Sequence, residues 1–511
     1  MTKTLAALIA AHPDDAQALG APDRVWLNYS GLRSLAADVA QTLHRAGIGR
    51  GDRVAIVLPN GPEMATAFLT VAQVATTAPL NPGYKEDEYA FYLDDLKAKA
   101  LIVLEGDDGP AVKAAAKLGI AILRLSFDAS GPAGTFILSG DTGLKDNDKT
   151  APAEGDVALI LHTSGTTSRP KIVPLTQANL YASALNIRTS LALTSSDRCL
   201  SIMPLFHIHG LIAALSATMA AGGEISCAPG FNALKFFGQI KDVDPTWYTA
   251  VPTMHQAILA RSARNKDIID AARLRFLRSS SASLPAPVME ELVATFGAPV
   301  IEAYGMTEAT HQMCSNPLPP KVQKPGSVGL AAGPEVRIAS ETDNTLLPSD
   351  ETGEIVISGP NVTLGYEGNP KANADNFFVA GDQRWFRTGD QGAFDDEGYL
   401  RLTGRLKEII NRGGEKISPL EVDATLLAHP EIAQVVCFAV THSKLGEDIA
   451  AAVVLSEGST MTDRDIKEYA SGQLASFKVP SSIVVLEEIP KGATGKIQRI
   501  GMAQKLGLTG A

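Results

Sequence analysis

Val157-Ala-Leu-Ile-Leu-His162 runs without interruption into Thr163-Ser-Gly-Thr-Thr-Ser-Arg-Pro-Lys171, and a helical pattern begins near Thr176. The apolar opening predicts a buried strand. The segment after it is built of Gly, Ser and Thr and ends in a lysine. Between a strand and a helix, such a loop offers free backbone N–H groups and hydroxyls, the donors a polyphosphate needs. No Gly-Lys-Ser/Thr closes it, so it is not a Walker A loop. By itself the segment reads either as a phosphate loop or as a hydroxyl-rich linker.

The flanking sequence places this loop in an α/β frame. Residues 32–46 have helical spacing, 53–58 form a buried strand pattern, 63–75 are helical again and 100–104 read as another strand. This alternation predicts β-α-β units and a largely parallel sheet. A second α/β run covers 179 to about 300, with strand candidates at 225–228 and 274–278. From 326 to 402 glycines punctuate short β-prone runs such as Glu354-Ile-Val-Ile-Ser358, which predicts a small barrel or distorted antiparallel sheet. After Gly404 a last α/β unit of about 105 residues follows, a domain-sized piece. The expected fold class is therefore α/β. A large N-terminal domain, 1–404, holds two α/β layers and a small β-rich barrel, and a small C-terminal domain covers 405–511.

A length of 511 residues requires more than one compact unit, and 45% hydrophobic with 20% charged residues suits sizeable cores. A net charge of −11 argues against nucleic acid as a partner. The four cysteines, Cys199, Cys227, Cys314 and Cys437, make no Cys-x-x-Cys pair and read as scattered thiols of a reducing compartment. Leu5, Leu8 and Ile9 suggest a surface helix, not a signal peptide. The longest uncharged stretch, 199–223, holds Pro204 and two histidines and makes a poor membrane span. The chain end lacks a Ser-Lys-Leu-type address, so the expected location is cytoplasmic. Nothing in the pattern specifies an oligomeric state.

Further motifs follow in order: Phe206-His207, Tyr304-Gly-Met-Thr-Glu308, Arg387-Thr-Gly-Asp390, Gly404-Arg405-Leu-Lys-Glu408, Gly413-Gly-Glu-Lys416 and Pro490-Lys-Gly-Ala-Thr-Gly-Lys496. Glu308 suits a hard cation as an oxygen ligand, or it is a helix-start acid with Thr307 as cap. Thr388-Gly-Asp390 alone is a turn. With the loop 163–171, this series resembles the adenylate-forming superfamily of acyl-CoA synthetases, luciferases and peptide-synthetase adenylation domains, over nearly the whole chain.

The resemblance implies ATP with Mg²⁺ and, in the synthetases, coenzyme A as co-substrate. It implies nucleotide contacts from Thr163, Ser164, Gly165, Thr166, Thr167, Lys171, Ser281, Ala282, Ser283, Glu302, Ala303, Tyr304, Gly305, Met306, Thr307, Asp390, Arg405 and Lys496. Glu308 and Thr166 would hold the metal, and Lys496 and His207 would be catalytic. Gly413 and Gly414 would face coenzyme A after rotation about a hinge at Lys407. A lysine on a mobile loop can bridge carboxylate and nucleotide and stabilise charge building on the α-phosphate. One departure stands out: Ile172 follows Pro170-Lys171 where the family has Gly, which suggests altered loop flexibility.

His207, His209, Ser280 and His311 are the expected acid-pocket residues. Hydroxyls and imidazoles suit a short, doubly charged acid better than an alkyl chain. Among the synthetases the sequence resembles those forming oxalyl-CoA. The shared segments are 162–171, Pro204-Leu-Phe-His-Ile-His-Gly210, Thr246-Trp-Tyr-Thr-Ala-Val-Pro252, Thr307-Glu-Ala-Thr-His311 and 411–419, which implies oxalate. The alternatives are malonate, an aryl or fatty acid, an adenylating enzyme that does not use coenzyme A, and a silent nucleotide-binding protein on the same fold.

Overall fold

The computed structural model describes residues 2–140, 147–163, 170–490 and 498–508. Among the described residues four sheets form. A seven-stranded sheet holds Arg53–Ile56, Thr76–Pro79, Ala100–Leu104 and Ala121–Ser126 in parallel, with Val157–Thr163 beside Thr76–Pro79. Its antiparallel edge strand, Lys171–Thr176, makes a hairpin with Val157–Thr163 that the sequence pattern did not suggest. Thr176 then caps the helix Gln177–Ser190, accepting from Asn179 N while the Asn179 side chain accepts from Thr176 N.

A nine-stranded sheet is the counterpart. Its parallel centre is Glu224–Cys227, Arg198–Ser201, Trp247–Ala250, Phe276–Ser280 and Val300–Met306. Val300–Met306 turns back antiparallel into His311–Ser315. Apolar side chains of the N-terminal helices fill the space between these layers; Leu5, Tyr29, Leu32 and Phe68 are fully buried there. Burial of this size is the main stabilising term. Leu5, Leu8 and Ile9 lie inside it, so the first helix is docked and not merely superficial.

The region 335–405 is a six-stranded sheet with every pairing antiparallel, as the glycine punctuation suggested. The last sheet, five-stranded, uses only segments between Ile410 and Val485. Its cores, around Ile449 and Phe438, contain no residue before Ile410. The chain passes between the two regions through the turn at 406–408, where Lys407 is exposed. Ile172 is 8% exposed and packs with Ile160 and Leu101, so its side chain belongs to a core, and its carbonyl accepts from Glu367 N at 3.1 Å. No described helix is long and apolar enough to cross a membrane. All four cysteines are free and buried.

Candidate active site

One hairpin carries much of the candidate chemistry. Val300–Met306 and His311–Ser315 pair with Met306 opposite His311 and Gly305 opposite Gln312. A short 3-10 turn, Thr307–Ala309, holds Glu308 at the tip. The return demands unusual backbone: Thr310 has φ +50° and His311 φ +96°. Such left-handed residues persist when their surroundings over-determine them, and they gather at functional sites. Here Asn361 Nδ2 donates to the carbonyls of Ala309 and Gln312, Ser183 donates to Thr310 O, and Thr363 N donates to Glu308 O. Gly305 fits only without a side chain, since a Cβ there would lie 1.8 Å from His311 O.

Glu308 is buried, and its Oε1 accepts from Tyr366 Oη at 2.8 Å. Burial and the Glu308 carboxylate push the tyrosine's pKa far up, so the hydroxyl stays a donor. Lys171 Nζ stands 4.3 Å above the same ring. Thr163 and Lys171 are cross-strand partners. Ser164, Gly165, Thr166 and Thr167, between them, lie outside the described residues, as does Lys496. Among the described residues no group of three or more His, Cys, Asp or Glu side chains could hold a metal. A lone carboxylate fits Mg²⁺ that arrives with a triphosphate, because that ion keeps phosphate oxygens and waters as its other ligands.

Asp390 and Arg405 meet across the antiparallel pair Gln383–Phe394 and Leu400–Arg405, where the register sets them opposite each other. Arg405 Nε is 3.1 Å from Asp390 Oδ1, and Tyr304 Oη donates to Asp390 Oδ2 at 2.5 Å. Burial pushes the aspartate's pKa up, opposed by the guanidinium and the hydroxyl. Ala282 and Ser283 are exposed beyond the strand Phe276–Ser280. Glu302, in the adjacent strand, accepts from Leu284 N at 2.8 Å and steadies that loop. Burial raises its carboxyl to about 8. Ala303 is buried in the strand and Met306 is half-buried at its end.

Behind the hairpin lies a polar pocket wall. His209 begins a π-helical stretch, His209–Ser216, a geometry frequent at functional sites. Its Nε2 is 2.6 Å from Thr249 Oγ1 and its Nδ1 3.0 Å from Ser281 Oγ. The His311 ring lies 5.0 Å from that of His209. Ser281 is a third left-handed residue, φ +73°. Half-buried His207 lies beside Phe206, with ring centres 4.5 Å apart. Ser280 is fully buried and its hydroxyl donates to Ala303 O, so it serves the strand, while Ser281 faces His209.

Residues 5–367 match the AMP-binding enzyme family, and 421–496 match the AMP-binding enzyme C-terminal domain. The chain belongs to the AMP-binding enzyme family. This AMP-binding enzyme is 46% identical to the oxalate–CoA ligase of Arabidopsis thaliana, over 96% of its own length and 95% of the relative's. It is 44% identical to the oxalate–CoA ligase of Saccharomyces cerevisiae, covering 89% and 87% of the two chains. Among solved structures, ATP-bound MatB from Rhodopseudomonas palustris superposes with a TM-score of 0.88 at 28% identity, covering 99% of each chain.

In this AMP-binding enzyme Gly413 and Gly414 form the two-residue turn between Ile410–Arg412 and Glu415–Ile417, at φ +63° and +98°. Positive φ at both positions is what glycine supplies to such a hairpin. Three residues of the site were given no role of their own by the sequence, although Thr249 lies within the shared segment 246–252. Arg278, Thr249 and Gln312 form a buried network against His209: Arg278 Nη2 donates to Gln312 Oε1 at 3.2 Å, and Nη1 is 3.4 Å from both Thr249 Oγ1 and His209 Nε2. An arginine amid the apolar strand 276–280 was the available signal.

Proposed function

We propose that the protein is an AMP-forming oxalate–CoA ligase, which adenylates oxalate with ATP, releases pyrophosphate, and passes the oxalyl group to coenzyme A. One observation carries the choice of acid. Next to the Glu308 hairpin stands a polar cluster in which His209 contacts Ser281 at 3.0 Å and its ring lies 5.0 Å from that of His311. Polar surroundings of this kind suit a short dianion better than an alkyl chain. The two oxalate–CoA ligases named above, similar over most of their length, support the same reading.

In this reading Thr163, Ser164, Gly165, Thr166, Thr167 and Lys171 contact the triphosphate. Ser281, Ala282, Ser283 and the strand from Glu302 to Thr307 border the nucleotide, and Asp390 with Arg405 takes the ribose. Glu308, with Thr166, holds the Mg²⁺ of the nucleotide, and that ion supplies charge neutralisation at the phosphates. His207 and Lys496 attend the carboxylate attack, Lys496 holding the developing charge on the α-phosphate. Units 1–404 and 405–511 then rotate about Lys407, withdrawing Lys496 and bringing Gly413 and Gly414 to the coenzyme A arm. A cytoplasmic setting belongs to the same reading, supported by four free cysteines.

The test is pyrophosphate release with ATP, Mg²⁺ and coenzyme A across oxalate, malonate, acetate, coumarate and a medium-chain fatty acid, with each thioester identified by mass. Selective oxalyl-CoA formation is expected. Preferred turnover of coumarate or a fatty acid would refute the polar-pocket argument, and adenylate without thioester would remove coenzyme A from the reaction.

A further inference from the structure

Arg278 is fully buried, yet no described carboxylate lies within ion-pair distance of it. Its partners, Gln312 Oε1, Thr249 Oγ1 and His209 Nε2, bring no negative charge. Its Nε has no hydrogen-bond partner among the described residues. Burial lowers its pKa to about 9, the direction an uncompensated cation takes. Buried charges are ordinarily paired, because an unpaired one carries a desolvation cost that nothing offsets. The fold nevertheless holds this cation within a polar row: Ser201, Thr249 and Arg278 sit side by side across three parallel strands, beneath the start of the π-helical stretch.

Arginine has donors only, so in the tautomer that accepts from Arg278 Nη1 at 3.4 Å and from the Thr249 hydroxyl at 2.6 Å, His209 Nε2 carries no proton. The His209 proton then resides on Nδ1 and is donated to Ser281 Oγ, 3.0 Å away. With its oxygen accepting, the Ser281 O–H is left to donate to a bound acid. A positive charge thus stands one imidazole ring behind the acid-facing hydroxyl, with its sense carried forward as an ordered chain of donors.

We propose that Arg278 is a positioning and specificity-determining residue whose missing counter-charge is the second carboxylate of a two-carboxylate substrate, held through His209 and Ser281. The inference rests on the dicarboxylate reading above. Of the two carboxylates of oxalate, one attacks the nucleotide, and the other enters the same confined space beside a polyanion. A buried cation set behind the wall favours that dianion over monoanions, since the attraction is felt strongly where water is excluded.

Two variants test this through separate KM values for oxalate and ATP, with melting curves to establish folding. Arg278→Met removes the charge. Gln312→Glu leaves Arg278 in place but puts a carboxylate where Oε1 now sits 3.2 Å from Nη2, supplying the counter-charge from within. Each variant is expected to raise the oxalate KM by roughly 10-fold or more, with kcat changed less and the ATP KM within about 3-fold. If Arg278→Met does not fold, Gln312→Glu decides alone. An unchanged oxalate KM in a folded variant overturns the inference, as does a parallel rise in both KM values, which marks a purely structural role. No oxalyl-CoA from the wild-type enzyme is a different failure: it removes the dicarboxylate reading itself, and this inference with it.

Discussion

Lys496 and Glu302 illustrate two ways a single charge can matter. Lys496 is assigned to the moment when charge builds on the α-phosphate, so Lys496→Ala is expected to slow adenylation by about 10²-fold or more while folding is retained. ATP–pyrophosphate exchange on the purified, folded variant checks this, and exchange at the wild-type rate would refute the assignment. Glu302 acts on stability. Burial holds its folded pKa at about 8, above the ordinary value of 4.5. Between those values the folded protein keeps a proton that the unfolded chain has lost, so stability falls as pH rises from 4.5 to 8 and levels off above. Glu302→Gln keeps an acceptor for Leu284 N without the ionisable group. Its melting temperature should match the wild type near pH 5 and exceed it at pH 8. Parallel melting curves at the two pH values would mean that Glu302 ionises normally in the folded state.

At the scale of elements, the 300–315 hairpin joins the carboxylate proposed for the metal to the histidine proposed for the acid. Its tip works because Gly305 lets His311 O approach closely, and because Asn361 holds the carbonyls on both sides of the left-handed pair. Gly305→Ala would force the strands apart. The expected cost is about 1–3 kcal/mol, the usual range for overpacking. Because His311 moves with the backbone, the oxalate KM should rise as well. Differential scanning calorimetry with steady-state kinetics checks both, and a variant with wild-type melting and KM would show that the hairpin relaxes freely. His311→Ala asks a narrower question: oxalate KM should suffer more than ATP KM, and equal losses would make His311 structural.

Across the whole molecule, polar contacts join described residues of the N-terminal sheets and of the C-terminal unit. Lys416 Nζ is 2.6 Å from Glu341 Oε2, Ser418 Oγ donates to Thr403 O, and Gln391 shares the Glu341 carboxylate. Lys416 lies in the Gly413-Gly-Glu-Lys416 motif, two residues from the turn proposed for coenzyme A. The pair therefore favours the present arrangement, the one that superposes on an ATP-bound relative. The Lys416 side chain is 62% exposed, and such pairs contribute little. Glu341→Gln should lower ATP–pyrophosphate exchange relative to thioester formation by roughly two- to five-fold. Identical ratios in variant and wild type would show that the pair has no part in setting domain orientation.

Local sequence was enough for the parts of this protein that depend on neighbours along the chain. The parallel α/β alternation, the glycine-punctuated antiparallel sheet, the helix start near Thr176 and the order of the nucleotide motifs all follow from spacing and side-chain type over a few residues. Tertiary structure decided what depends on residues far apart in sequence. Ile172, read as a change in loop flexibility, is a core side chain because Leu101 and Ile160 happen to cover it. Ser280 and Ser281 are indistinguishable as sequence, yet one is spent on Ala303 O and the other faces His209. The sequence assigns Arg278 no role of its own, and its meaning comes from what surrounds it: a burial that excludes water and a set of partners that brings no negative charge. Pattern along a chain specifies propensity and face, but the cost of a buried charge is set by every group around it, and only the folded molecule brings those groups together.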